Sequence, residues 1–408
     1  MKIAIFTDCY LDLTGGIVTS IDADKAELER RGHTVYVFSS SFQKTEAEQQ
    51  KLAKKNIFPV KSCRVFGKGI APIARRPSVI EKELETSHPE IKDFDIYYIH
   101  YEAGCSIAGL RLAKKYGIKS IQVMHGREDV GEANIIPFGL RTIVAVLLNW
   151  FHSWYIPHPI KVHRDDYLAD NLSKAKMWTL MVNHANFADL VVSPSKHFRK
   201  KLQHYGVKKP FEVLPHGLAD DLCSKVAAPR ELKKGDTLEI IWHSRLSGEK
   251  RILPFLTGLT LLKNKNYHLS VYGDGPDLAK AQKIVSKNNL PVTFYGNTPH
   301  DKVTKVLAKS HLDILASYNF DNYSMTLVEA VVFGTPALIV DKDMTEIMPS
   351  GGYVLADGPE PKAIAKALDE LLSHPERIAK MSEKQLSGRK AKQISVKIDT
   401  FEKIAKKH

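Results

Sequence analysis

The chain has 408 residues, 43% of them hydrophobic and 26% charged, enough for a sizeable core and two or three domains and too apolar for wholesale disorder. Its 59 Lys and Arg against 46 Asp and Glu leave a formal charge of +13, which favours phosphate-bearing ligands, nucleic acid or an anionic membrane without choosing among them. Cys9, Cys63, Cys105 and Cys223 are scattered with no C-x-x-C pair, so neither a disulfide framework nor a zinc site is expected, and a reducing cytoplasm fits.

MKIAIFTDCY enters a strand (2–7) with no signal-peptide pattern. Gly15-Gly16 follows, then a helical pattern through Ile21, Lys25 and Leu28 that stops at Gly32. HTVYVFSS (33–40), IYYIH (96–100) and SIQVMH (120–125) are further buried strands, with a helix through Leu110 and Ala113 between the last two. TIVAVLLNWFHSWYIP (142–157) is broken by Asn149, His152 and Ser153, short of the roughly 18 uninterrupted apolar residues of a spanning helix. DLVVSP (189–194), a helix over 195–205 and FEVLPHG (211–217) complete one series. Residues 218–236 lose the apolar periodicity, and the rhythm restarts with LEIIWHS (238–244), HLSVYGDG (268–275), VTFYG (292–296), LDILAS (312–317) and PALIVD (336–341). Strands alternating with helices predict an α/β protein with two Rossmann-like βαβ domains, their parallel sheets facing an interdomain cleft where ligands bind. The expected boundaries are 1–217, a linker at 218–236, 237–385, and a basic helix at 386–408 that can return to the N-terminal domain.

Three places offer chemistry. Gly15-Gly16 lets backbone N–H groups approach an anion at a helix start, or is a plain tight turn. Arg245 and Lys250, five apart after a strand, can converge on a diphosphate, or be solvated loop cations. In YNFDNYSMTLVEAVVFGTPALIVD (318–341), Asp321 precedes a polar turn, Asn322 to Ser324, with a helix from about Thr326. Glu329 follows two helical turns into it. Carboxylates there suit sugar and ribose hydroxyls; the plainer alternative is an N-cap Asp and a surface Glu.

Taken together, these features resemble the retaining GT-B glycosyltransferases of glycosyltransferase family 4. The carriers are Asp321 and Glu329 eight apart before Gly334-Thr335-Pro336, Gly15-Gly16 after the first strand, Arg245 with Lys250, and His125 in VMHGRED. The likeness spans residues 1 to about 385. It is greatest to the diacylglycerol glucosyltransferases and related lipid glycosyltransferases, through ELERRGHTVYVF, HYEAGCSIAGLRLAKKYGI, HGRED and SPSKHFRKKLQHYGVKKPFEVLPHG. The chain departs from that pattern at Asp321, usually Glu; at Ser324, usually Gly; and at His216 to Asp220.

The resemblance implies a UDP-sugar donor and no metal or other cofactor. Glu329 would hold the ribose, Asp321 and the N–H groups after it the sugar, and Arg245 and Lys250 the departing diphosphate. Gly15 and Gly16 would approach the β-phosphate, and His125 the transferred sugar. Asn297, Asn322, Tyr323, Ser324, Met325 and Thr326 would complete the nucleotide-sugar site. For the acceptor, Ile143, Leu147, Trp150 or Phe151, and Trp154 form one helical stripe near Arg141, Lys161, His163 and Arg164. That stripe reads either as a helix lying in an anionic membrane interface or as a core helix. The expectation is a hexosyl transfer, glucose foremost, to a membrane lipid such as diacylglycerol, on the inner face of the cell membrane and without nucleic acid as partner. A soluble glycan or protein acceptor, and a non-catalytic sugar-nucleotide-binding subunit, are the alternatives.

Overall fold

The computed structural model describes residues 1–11, 15–42, 44–63, 73–74, 76–130, 136–223 and 228–407. It divides into two units, Met1–Pro215 with Ile398–His408, and His216–Lys397.

The first unit carries strands β1 (Lys2–Thr7), β2 (Thr34–Ser41), β3 (Ile57–Cys63), β4 (Ile73–Ala74), β5 (Ile96–His100), β6 (Lys119–Val123), β7 (Leu190–Ser193) and β8 (Phe211–Val213). They lie in the order β4-β3-β2-β1-β5-β6-β7-β8, parallel except for β4. β1 and β5 read as near-continuous apolar runs because helices cover both faces of the sheet, leaving almost every residue buried. Phe6 of β1 stacks on Phe38 of β2 at 5.1 Å and meets Tyr97 of β5 at 4.8 Å. The helix Gly104–Tyr116 lies so close that a Cβ on Gly109 would stand 2.5 Å from the Phe6 ring. Buried Asp8, just past β1, accepts hydrogen bonds from the N–H groups of Cys105 and Ser106 and from the hydroxyls of Ser106 and Ser40. It thereby ties the start of that helix to the ends of β1 and β2.

The second unit carries β9 (Leu238–His243), β10 (Tyr267–Tyr272), β11 (Val292–Gly296), β12 (Leu312–Leu315), β13 (Ala337–Ile339) and β14 (Tyr353–Leu355). All are parallel, in the order β11-β10-β9-β12-β13-β14. Two Rossmann-like parallel sheets are therefore present, as the alternation predicts. In each, strand order reverses once near the middle, between β1 and β5 and between β9 and β12. The carboxyl ends of those strands are where open α/β sheets bind ligands.

Within the second unit, Leu218 forms a parallel bridge with Gln393, and Ile394 N–H donates to the Leu218 carbonyl at 2.7 Å. The final helix, Ile394–Lys407, then enters the first unit at Ile398. There Phe401 meets Tyr98 at 4.9 Å, Arg31 pairs with Asp399 at 2.6 Å, and His33 meets Glu402 at 2.9 Å. Among the described residues no helix is long and apolar enough to cross a membrane.

Candidate functional site

Of the expected donor residues of the second unit, Arg245 and Lys250 follow β9, and Asp321 and Glu329 follow its neighbour β12. After β9 the chain runs through Ser244, Arg245 and Leu246 directly against the Gly273–Gly275 turn. A Cβ on Gly273 would stand 2.3 Å from the Ser244 carbonyl oxygen, and one on Gly275 2.3 Å from that of Leu246. Gly273 also has φ +127°. The glycines of YGDG thus let two loop backbones touch, and they fix where Arg245 leaves the sheet.

Lys250 Nζ lies 2.7 and 2.9 Å from the two carboxylate oxygens of Asp321, over the Phe320 ring at 5.3 Å. Ser317 donates its hydroxyl to the same carboxylate. Arg245 is extended, its side chain 70% exposed, and reaches back to Glu249 at 3.0 Å. Glu249 is buried and accepts from Ser247 Oγ at 2.6 Å. Both cations expected to act together are thus paired with an acid, and they differ in exposure: the Lys250 side chain is mostly buried, whereas most of Arg245 faces solvent.

Met325, not Thr326, begins the helix that ends at Phe333, and Ser324 takes the N-cap position. Asp321 is therefore not the cap, and the plainer reading of it fails: its carboxylate bonds Lys250 and Ser317 instead of the helix start. Among the described residues no N-cap side chain bonds this helix start, and its first backbone N–H groups can meet an incoming acceptor group. Ser324 and Thr326 hydroxyls bond to each other at 2.7 Å. Asn322 is buried, and Asn297 is exposed in the turn after β11. Tyr323 turns its ring elsewhere: its hydroxyl accepts from Lys392 Nζ at 2.9 Å, and its ring packs on the buried cluster around this helix and meets His216 at 5.6 Å. Burial in that position pulls the Lys392 ammonium down to about 8.

Glu329 is buried rather than a surface residue. Its Oε1 meets His300 Nε2 at 2.9 Å, and its Oε2 lies 3.5 Å from His243 Nδ1. His243 Nε2 is in turn 3.2 Å from Oδ1 of fully buried Asp313. The Glu329 hydrogen bond, set first against partial burial, raises the His300 pKa. For His243, burial favours the neutral ring, but Asp313 and then Glu329 outweigh it and hold the imidazole above its usual value. Gly334 stops the helix at φ +71°, and Thr335 Oγ1 bonds the Leu307 carbonyl at 2.7 Å. Gly-Thr-Pro is thus a structural exit that anchors the acids.

In the first unit, Gly15 (φ +149°) sits at the N-cap of the helix Gly16–Arg30, and a Cβ there would meet open space. Residues 12–14 of that loop lie outside the described residues. His125, just past β6, bonds His100 at the end of β5, Nε2 to Nδ1 at 2.8 Å. Beside them Tyr101, at φ +88°, donates its hydroxyl to Glu128 at 3.1 Å. Burial, followed by Glu128 and Asp8, drives Glu102 upward, and burial pushes Glu128 up to about 7. Sequence reasoning chose only His125 from HGRED, although HYE and GRED carried the signal for these acids.

The helix Arg141–Ser153 buries Ala145 and packs Leu148 against Met177 and Leu180 of the helix Leu172–Phe187. Its other face is bare: Ile143, Leu147, Trp150 and Trp154 are each 53–56% exposed. The stripe is not a core stripe. Phe151 departs from the expected set, being half-buried with its ring on Tyr155 at 5.2 Å. Lys161, His163 and Arg164 are exposed, and Arg141 is half-buried, bonding the Ile136 carbonyl.

The chain resembles the alpha-monoglucosyldiacylglycerol synthase of Streptococcus pneumoniae, 24% identical over 83% of this chain and 70% of that one. It also resembles the synthase of the same name from Acholeplasma laidlawii, 22% identical over 94% of this chain and 91% of that one. Among solved structures, Anabaena HepE in complex with UDP superposes with a TM-score of 0.71 at 14% identity, over the whole of both chains. A glycosyltransferase from Rickettsia africae gives 0.66 at 14% identity over 99% of this chain and 97% of that one. These likenesses establish the GT-B fold. The Glycosyl transferases group 1 family model matches residues 225–387. Because the Glycosyltransferase Family 4 model matches residues 14–222, more than half of its length, the chain belongs to glycosyltransferase family 4 and is a glycosyltransferase.

Proposed function

We propose that the protein moves a hexose, glucose foremost, from a UDP-sugar to a membrane lipid acceptor such as diacylglycerol, with retention at the anomeric carbon. The observation that carries the lipid acceptor is the bare apolar stripe of Ile143, Leu147, Trp150 and Trp154, whose helix already has its packing partner on the opposite face. Exposed apolar side chains in a row, with exposed Lys161 and Arg164 following in the sequence, suit an anionic lipid interface. The names of both synthase relatives point the same way, and the UDP bound to HepE supports the donor class.

On this reading Glu329 accepts hydrogen bonds from the ribose diol, and Asp321 with the N–H groups at Met325 and Thr326 meets the sugar hydroxyls. Asn297, Asn322 and Ser324 line the same approach, while Tyr323 contributes through its backbone. Arg245 and Lys250 neutralise the charge that grows on the β-phosphate as the C1–O bond breaks. That reading requires no metal, since two cations serve the leaving group. Gly15 and Gly16 offer backbone N–H groups to phosphate, and His125, oriented by His100, contacts the sugar. The acceptor oxygen bonds C1 on the face the phosphate leaves, and its proton passes to the departing phosphate oxygen. No protein nucleophile is needed.

Incubation with radiolabelled UDP-sugars and anionic vesicles containing diacylglycerol tests the reading. Label should move into the organic phase. Label carried instead by soluble glycans, with none in lipid, would refute the lipid acceptor and leave the transferase in place.

A further inference from the structure

We infer that His243 is a positioning residue for the donor: clasped between Asp313 and Glu329, its imidazole fixes the carboxylate that meets the ribose. The inference rests on the reading of Glu329 given above.

The three groups come from three elements. His243 is the last residue of β9. Asp313 lies on the neighbouring β12, paired in register with Ile241, two residues before His243. Glu329 comes from the helix Met325–Phe333. The imidazole lies 3.2 Å from Asp313 and 3.5 Å from Glu329, and its side chain is 5% exposed. Asp313 Oδ2, Glu329 Oε2 and His243 Nε2 itself make no hydrogen bond among the described residues, so the ring is held by close charge contact. Two buried carboxylates about one ring repel each other, and a cation between them offsets that repulsion. His243 stands there, and the two acids in turn favour its protonated form.

The two oxygens of Glu329 are therefore held unequally. Oε2 faces His243 inside the protein. Oε1 faces His300, whose side chain is 58% exposed, so this oxygen is the one open to a ligand. The charged groups around His243 are Asp313 on β12, Glu329 on its helix, and His300 on the helix His300–Leu307. With His243 in close charge contact on the inner side and the His300 hydrogen bond on the outer side, the carboxylate plane is restrained. A diol then meets an acceptor already in place, without the cost of ordering it.

The test is the affinity, by calorimetry, of UDP and of its 2′,3′-dideoxy analogue for wild type, His243→Gln and Glu329→Gln. Wild type should prefer UDP by on the order of tenfold or more, since hydrogen bonds to a charged acceptor are lost with the diol. His243→Gln should lose most of that preference while still binding the dideoxy analogue within about twofold of wild type. A general loosening of the site would weaken both ligands alike and preserve the ratio, and a preserved ratio overturns the inference. Glu329→Gln separates the two levels of argument. If it collapses the preference and His243→Gln does not, only the role of His243 falls. If wild type shows no preference for UDP and Glu329→Gln binds UDP unchanged, the ribose assignment falls and His243 with it. Should His243→Gln fail to fold, Asp313→Asn is read by the same ratio, with a narrowed preference expected and an unchanged one contradicting the inference.

Discussion

Replacing Trp150 and Trp154 together by Ser isolates the membrane face. Both indoles are about half exposed, their rings lie 4.4 Å apart, and Trp154 also meets half-buried Phe151 at 5.9 Å. Covering the bare half of each removes roughly 100 Å² from water, given that a buried Trp covers about 150–250 Å². At about 25 cal/mol per Å² that is at most about 2.5 kcal/mol apiece. Because an interface is only partly dry, about half of the summed figure is the working expectation, a loss in vesicle affinity on the order of 50- to 100-fold. Phe151 is left in place because its half-buried ring supports Tyr155. Fold stability should change by no more than about 0.5 kcal/mol, as for other surface substitutions. Sedimentation with anionic vesicles reads the affinity, thermal melting reads the stability, and UDP binding should be unaltered. Lys161 and Arg164 should add about 1 kcal/mol each at low salt, so wild-type binding weakens with salt without vanishing. A folded double mutant that still sediments like wild type would refute the interface assignment.

Glu329→Ala should weaken UDP-sugar binding by about 1–3 kcal/mol in calorimetry, and unchanged affinity would remove Glu329 from the donor site. Arg245→Ala should lower kcat on the order of 10²-fold, with some loss of melting temperature because buried Glu249 loses its cation; wild-type turnover in EDTA should persist. Asp321→Asn should also cut turnover, and since its partner Lys250 is left unpaired, the double variant with Lys250→Ala should be less destabilised than the two singles predict. Acid should destabilise the fold through half-buried His158 and buried His152 and His184, joined by contacts of 2.6 and 3.0 Å. Burial holds His158 down to about 4 and His184 to about 3. Their neutral forms therefore favour folding above pH about 6.5, and that stability is lost as pH falls toward 4. His158→Gln should flatten the fall in melting temperature between pH 6.5 and 4.5, and an identical slope would contradict the assignment.

The two sheets were legible because strands buried on both faces must be continuously apolar, as KIAIFT, IYYIH and LDILAS are. The pairing of Asp321 and Glu329 with Gly334-Thr335-Pro336 was legible too, since those residues share one turn, one helix and its exit. What local sequence could not disclose is which side of the 141–153 helix is covered. Periodicity places Ile143, Leu147 and Trp150 on one face, but only Ala145 and Leu148 against Met177 and Leu180 make the other face the inner one. The partners of Glu329 were missed for a related reason. His243, Asp313 and His300 stand up to 70 residues apart in LEIIWHS, LDILAS and NTPHDK, and only the β9/β12 neighbourhood and the turn after β11 bring them together. Asp321 looked like a helix cap because its distance from the helix start allowed it; the competing Lys250 lies 71 residues away.

The central claim is most directly tested by the structure of the product formed from UDP-glucose and diacylglycerol in anionic vesicles, read by mass spectrometry and proton NMR. The account predicts a diacylglycerol carrying hexose joined through an α linkage, the configuration of the donor. A β-linked product would contradict retention, and the absence of any glycosylated lipid, with hexose found on a soluble acceptor instead, would contradict the membrane substrate.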